Sequence, residues 1–147
     1  MGFFKKKSDT ETYDAITLLD LHKDGSMDDK KFLRLFGKQK VFYTTPFGDH
    51  VDGGNRLFLI PGPDKTGYFP VFSSLDRMKE HYELAGRKGY LVMQGTFSDV
   101  LKTTRSTNRS DTPVKMGVII DPRYYDVTVD AMKLDMVIGI VDGTGFF

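Results

Sequence analysis

Two apolar periods alternate along this chain, one of about 3.6 residues and one of about 2. The longer period sets Phe32, Leu35 and Phe36 on one face, then Leu75, Met78, Tyr82 and Ala85, then Phe97, Val100 and Leu101. Each run, and a further one near the N-terminus, opens on a Ser/Thr-x-x-Asp/Glu box: Ser8…Glu11, Ser26…Asp29, Ser73…Asp76 and Thr96…Asp99. In such a box the hydroxyl accepts from an exposed backbone N–H while the carboxylate reaches back, so the pattern predicts four helix starts. Thr17…Asp20 matches the same spacing inside the first helix, so the apolar face that follows carries each assignment.

The shorter period marks runs rich in β-branched and aromatic residues at 41–44, 57–60, 68–72, 90–93, 118–120, 127–129 and 137–141. Leu57-Phe58-Leu59-Ile60 is apolar on both faces, as in a central strand covered on two sides. Turn residues at Pro46-Phe47-Gly48 with Gly53-Gly54-Asn55, and at Pro61-Gly62-Pro63-Asp64 with Gly67, bring the first three strands close enough for an antiparallel meander. Residues 103–113 hold Ser, Thr, Asn and Arg without an apolar anchor and are expected to form a mobile surface loop. The expectation is a single α+β domain, a mixed and largely antiparallel sheet flanked by about four helices. Residues 1–38 would be a helical lead-in packed on the domain, 39–141 the α/β core and 142–147 a loose tail.

Composition narrows the chemistry. With 147 residues, 39% of them hydrophobic, the chain has the size and apolar content of one folded domain. The absence of Cys excludes disulfides, thiolate zinc and iron–sulfur sites and every cysteine nucleophile, and it fits a reducing cytosol. Twenty-one Lys and Arg against 20 Asp and Glu leave a net charge of +1, so no nucleic-acid partner is expected, although Lys102, Arg105 and Arg109 form a small basic run. No apolar stretch reaches the roughly 18–20 residues needed to span a bilayer. Met1-Gly2-Phe3-Phe4-Lys5-Lys6-Lys7 lacks the apolar core of a secretory signal, and Lys6 stands where a myristoylation motif wants Ser or Thr. The expected location is therefore the cytoplasm.

Several motifs approach a known chemistry and stop short of it. Asp20, Asp24 and Asp28 with Gly25 mimic a calcium loop, but Lys31 occupies the position that needs a bidentate carboxylate and His22 replaces an oxygen ligand. Asp24-Gly25 then ends one helix and Ser26 caps the next. Gly62-Pro63-Asp64-Lys65-Thr66-Gly67 has the glycine spacing of a phosphate loop, yet a strand follows it instead of a helix, which makes it a hairpin turn. His50 sits between Asp49 and Asp52 in a Gly-rich loop, the nearest approach to a metal cluster or general base; an exposed loop histidine is the default. His81 falls at the edge of its helix's apolar stripe, facing solvent or a surface contact. Ser73 and Ser74 stand at a strand-to-helix junction without the flanking glycines of a nucleophile elbow, so capping accounts for both hydroxyls. Asp121-Pro122 reads as a strand terminus, because Pro donates nothing to a ladder. No catalytic residue, metal site or cofactor is assigned.

Three segments carry a family likeness: Leu57-Phe58-Leu59-Ile60-Pro61, Phe69-Pro70-Val71-Phe72-Ser73-Ser74 and Gly117-Val118-Ile119-Ile120-Asp121-Pro122. Over residues 41–141 the chain resembles the SseB N-terminal-like domain family, bacterial proteins named after an enhanced-serine-sensitivity phenotype. Ser73 stands for the family's usual Thr and Asp121 for its usual Asn, and both keep a short polar side chain able to cap or turn. The resemblance implies a small α/β module of undetermined molecular function, with no catalytic residues to carry over. The resulting expectation is a non-catalytic bacterial cytoplasmic binding or regulatory module. Its contact surface would lie where strand ends meet helix starts, at Tyr43, Ser73, Ser74, Asp121 and Tyr124, for a protein partner or for self-association, the latter through the aromatic ends Gly2-Phe3-Phe4 and Gly145-Phe146-Phe147. The alternative is a small-molecule-binding domain or enzyme using the His50 loop.

Overall fold

The computed structural model describes residues 13–46, 58–108 and 114–143. Helix α1 (Ala15–Lys23) and helix α2 (Asp29–Phe36) lead into strand β1 (Lys40–Tyr43). A hairpin of β2 (Ile60–Pro61) and β3 (Thr66–Val71) follows, then α3 (Leu75–Leu84), β4 (Met93–Thr96) and α4 (Phe97–Asn108). Strands β5 (Lys115–Ile120) and β6 (Val127–Val129), one 3₁₀ turn at Ala131–Lys133 and helix α5 (Leu134–Asp142) complete it. This is an α+β fold, with five α-helices among the described residues.

The strand order β2-β3-β5-β6 is antiparallel at both ends and parallel at the centre, where Thr66 to Val71 run beside Lys115 to Ile120. β1 pairs antiparallel with β4, and Phe42 and Phe72 exchange both backbone hydrogen bonds, at 2.8 and 2.9 Å. That bridge joins the two sheets. Alternation along β3 and β5 sends Phe69, Val71, Val118 and Ile120 to the main core, shared with Leu18, Leu19, Phe32, Phe36, Leu101 and Val137. Phe72 and Phe42 face the other way and meet Phe58, Met78 and Tyr82 in a smaller cluster. The sheet therefore has α3 on one face and the remaining helices on the other. Buried on both faces, its central strands tolerate the near-continuous apolar runs seen in sequence.

Several local expectations are corrected. The run 137–141 lies in helix α5, not in a strand. Its β-branched residues favour strands only weakly, whereas Leu134, Val137, Ile138 and Val141 recur at helical spacing and pack into the core. Gly143, at φ 72°, ends that helix in the left-handed region. Residues 103–108 are the last turns of α4, not a loop; Thr104 and Thr107 return their hydroxyls to the carbonyls of Val100 and Thr103, at 2.8 and 3.0 Å, which lets the buried Thr104 sit within the helix. Ile60–Pro61 is a two-residue edge strand instead of part of a central one; it pairs antiparallel with β3 as the meander expects, while β1 joins the end of β3 through the Phe42–Phe72 bridge. The fourth strand begins at Met93, so Tyr90 to Val92 precede it.

The caps shift too. Asp14 and Asp28 face the starts of the first two described helices, accepting from Thr17 and Lys31 N–H at 2.8 Å, and Asp28 takes the place expected of Ser26; the Ser8 box lies outside the described residues. An ionised carboxylate at a helix N-terminus also meets the helix dipole, which a hydroxyl does not. Ser26 instead closes a turn on Asp24 (2.8 Å). At α4 the Thr96 hydroxyl accepts from Asp99 N–H at 3.1 Å, as the box predicts. The β2–β3 hairpin turns through Asp64 and Lys65, both at positive φ, with Thr66 N–H donating to the Pro63 carbonyl at 2.9 Å.

Candidate functional site

The parallel pairing of β3 with β5 brings two chain segments 48 residues apart to one point, the carboxyl ends of both strands. There β3 runs into α3 through Phe72-Ser73-Ser74, and β5 runs into the turn that starts at Asp121. Asp121 N–H donates to the Val71 carbonyl (2.8 Å), which extends the ladder by one residue past β5 and fixes the Asp121 backbone against β3.

Asp121 is fully buried, at 0% exposure. One carboxylate oxygen accepts from the Ser73 backbone N–H at 2.8 Å. The other accepts from the Ser73 hydroxyl at 2.5 Å and from Arg77 Nη1 at 2.7 Å. A buried carboxylate with these three donors, one of them a cation, meets the condition under which a charge survives desolvation. Burial works against the Arg77 cation, but the hydrogen bond to Asp121 and its charge outweigh that and hold the guanidinium above its ordinary value. Ser74 caps α3, accepting from Arg77 N–H at 3.3 Å. Ser73 does not cap; its hydroxyl is turned onto Asp121, which corrects the sequence expectation by one residue.

The turn after β5 is wound tightly around the same aspartate. Its carbonyl accepts from the N–H groups of Tyr124 (3.0 Å), Tyr125 (2.9 Å) and Asp126 (3.3 Å). Asp121, Arg123 and Asp126 all have positive φ, at 48°, 79° and 51°. Asp adopts that region more readily than most residues, while Arg123 costs roughly 1–2 kcal/mol there. Such strain persists only where surrounding contacts over-determine the backbone, as the converging bonds on Asp121 do.

Helix α3 lies along this turn with Arg77, Glu80 and His81 on one face, spaced three and four residues apart. The Arg77 guanidinium stacks 4.3 Å from the Tyr124 ring centroid and 5.3 Å from that of Tyr125. The Tyr124 hydroxyl donates to Glu80, and that bond followed by burial raises its phenol's pKa. Tyr125 donates to Asp20 on α1 at 2.5 Å; burial first, then that bond, raises its pKa. His81 is half-buried against Phe72 and Tyr82, with centroids 5.3 and 5.0 Å away, so it is more enclosed than the solvent or surface contact expected of it. Burial, then the charge of Arg123, lowers its pKa.

Of the residues singled out in sequence, Ser73, Ser74, Asp121 and Tyr124 are thus gathered at one place. Tyr43 is not; its ring packs into the main core, 6.1 Å from Phe69. His50 lies outside the described residues. Arg77, Glu80, Tyr125 and Asp20 complete the cluster; the first three belong to no motif, and Asp20 is drawn from the calcium-like loop. The one signal for Arg77 is its place three residues after the capping Ser74, and for the tyrosines their tandem position just past Asp121-Pro122. Chemically the cluster is closed. The Ser73 proton is directed at a carboxylate that already holds Arg77, and among the described residues no histidine hydrogen-bonds either group.

The calcium-like carboxylates are dispersed to separate tasks: Asp20 accepts from Tyr125, Asp24 from Ser26 and Asp28 from Lys31. Among the described residues no three His, Asp or Glu side chains are placed to hold a metal. An open cleft of about 680 Å³ lies beyond Tyr125, floored by Phe32, Val129, Val137 and Ile140 and edged by Lys30 and Lys133. No described helix is long and apolar enough to cross a membrane. No family model, curated protein or solved structure matches the chain.

Proposed function

We propose that this chain is a non-catalytic binding or regulatory module, SseB-like and of the bacterial cytoplasm, that meets its partner on the surface formed by the start of α3 and the turn after β5. The observation that carries this reading is the saturation of Asp121. Its carboxylate accepts from Ser73 twice and from Arg77 once, so the most buried polar group at the strand ends holds geometry and leaves no spare donor or base for bond-making. What remains outward is the side of Tyr124, 38% exposed, with Glu80 beside it. Two of the three segments that carry the family likeness, 69–74 and 117–122, are tied together by the Asp121 bonds to Ser73, which supports a shared structural reason for those two.

The test is affinity capture from the native cytosol with mass spectrometry of the protein and metabolite fractions. Wild type is expected to retain a protein that Tyr124→Ala with Glu80→Lys releases, while thermal melting stays within a few degrees. Turnover of a metabolite that Asp121→Asn abolishes would overturn the reading. A second reading, a small-molecule-binding domain, draws support from the cleft of about 680 Å³, inside the range of roughly 300–1,000 Å³ typical of ligand sites. Met136 stands on the cleft's exposed edge, so Met136→Trp should release a captured metabolite and leave a captured protein in place.

A further inference from the structure

The sheet has three outer edges among the described residues, and they are not treated alike. β2 is two residues long, contains Pro61 and is followed by Pro63. β6 is three residues long, sits between Asp126 and Asp130, and leads into the 3₁₀ turn and α5. Short length, proline and flanking charge are the usual means of blunting an edge against pairing with another chain. β4, four residues long, has neither proline nor flanking charge. From Gly89 to Ser98 the chain carries no charge and no proline. Leu91, Val92 and Met93, at the edge's leading end, are 68%, 50% and 39% exposed.

The backbone of β4 is open as well. Phe42 spends both its N–H and its carbonyl on Phe72, away from β4. Phe42 lies opposite Gln94, and in an antiparallel ladder the members of a facing pair point both inward or both outward. Gln94 N–H and C=O therefore point away from β1, to the free side, and Thr96 N–H shares that direction. Gln94 makes no bond to another described element.

We propose that β4 is a homodimerisation edge, two copies pairing antiparallel about a twofold axis with Gln94 opposite its own mate. A second copy fits because the strand is self-complementary. Gln94 and its mate exchange both hydrogen bonds, Thr96 faces Val92 of the other copy, and no like charges are brought together along the uncharged segment. On the opposite face Met93 comes beside the other copy's Gly95. That glycine is roofed by its own Tyr43, whose hydroxyl lies 2.9 Å from where a Cβ would be, so the space beside it stays narrow. One such edge per chain closes the assembly at two copies. The proposal is independent of the Asp121 surface, which lies at the ends of β3 and β5.

Sedimentation equilibrium of the full chain over a millimolar-to-micromolar dilution series tests it, with Gln94→Lys and Gln94→Glu. Each variant alone sets two like charges face to face and should raise the dimer dissociation constant about tenfold or more. An equimolar mixture of the two should recover the dimer, and Gln94→Asn should behave as wild type. Circular dichroism should be unchanged throughout, since the side chain is exposed. A wild type monomeric at every concentration would overturn the proposal. So would a dimer that neither charged variant weakens, which would place the contact elsewhere, or charged variants whose mixture stays monomeric.

Discussion

Two buried charges, one near each end of α3, are accommodated by different physics. Asp121, at 0% exposure, is held by directional hydrogen bonds from Ser73 and Arg77. Arg87, at 4%, lies among aromatic faces: Phe58 at 4.5 Å, Tyr82 at 5.4 Å and Tyr90 at 6.0 Å, with Nη1 donating to the Thr45 carbonyl at 2.9 Å. A carboxylate is compact and strongly hydrated, so only donors aimed at its lone pairs replace water. A guanidinium is flat and delocalised, so π-faces recover much of what it loses on burial. The first arrangement fixes a geometry between strands distant in sequence. The second fills a core position and tolerates more change.

Removing the aspartate should break that contrast most severely. Asp121→Ala leaves Arg77 and the Ser73 N–H without their acceptor and installs alanine at positive φ, so unfolding in urea should show a loss of about 3–5 kcal/mol. Arg87→Met should cost less, about 2 kcal/mol in the same measurement, because methionine keeps apolar volume between the rings while the cation's attraction to them goes. If Arg87→Met proved the more damaging of the two, the aromatic surroundings would be the true latch.

Asp121→Asn sharpens the comparison. Asn accepts the left-handed backbone and still offers an oxygen to the Ser73 N–H; its amide NH2 loses the ionic bond to Arg77 and can meet the Ser73 hydroxyl only by donating to it, so the expected loss is about 1–2 kcal/mol. Smallest should be the effect of His81, which packs between the two regions on Phe72. Burial and Arg123 lower its pKa from 6.5, so below that value the unfolded chain takes up a proton before the folded one does. Stability contributed by neutral His81 is therefore complete above pH 6.5 and is lost as pH falls from there through the lowered pKa. Urea midpoints at about pH 7.5 and about pH 5.5 should differ more for wild type than for His81→Phe. An equal difference would remove His81 as the source.

The cluster was only half legible along the chain. Ser73, Ser74, Asp121 and Tyr124 stand at strand ends, and strand ends are marked by short polar residues, Pro and capping spacing. Arg77, Glu80, Asp20 and Tyr125 look like ordinary helix-surface and turn residues until two strands align and set α3 beside the turn after β5. Two caps fall one or two residues from the expected Ser for a related reason: Ser26 and Asp28, or Ser73 and Ser74, are equally good acceptors locally. At the second pair the Asp121 carboxylate takes the Ser73 hydroxyl and leaves the cap to Ser74; at the first, the Ser26 backbone is held in a turn on Asp24 and the cap falls to Asp28.

Periodicity and turn chemistry alone determined the α+β class, the strands at 68–72, 118–120 and 127–129 and the faces of α2, α3 and α4, because those features depend on neighbours within a few residues. The hairpin at Pro63 to Thr66 and the departure from β5 at Asp121-Pro122 were settled in the same way. Only the tertiary structure decided that 137–141 winds as a helix, since burial against α2 and α4 outweighs a β-branched preference worth a few tenths of a kcal/mol per residue. It alone also decided the parallel β3–β5 pairing and the buried Asp121–Arg77 pair. Both join segments more than forty residues apart, and no local preference encodes where such segments meet.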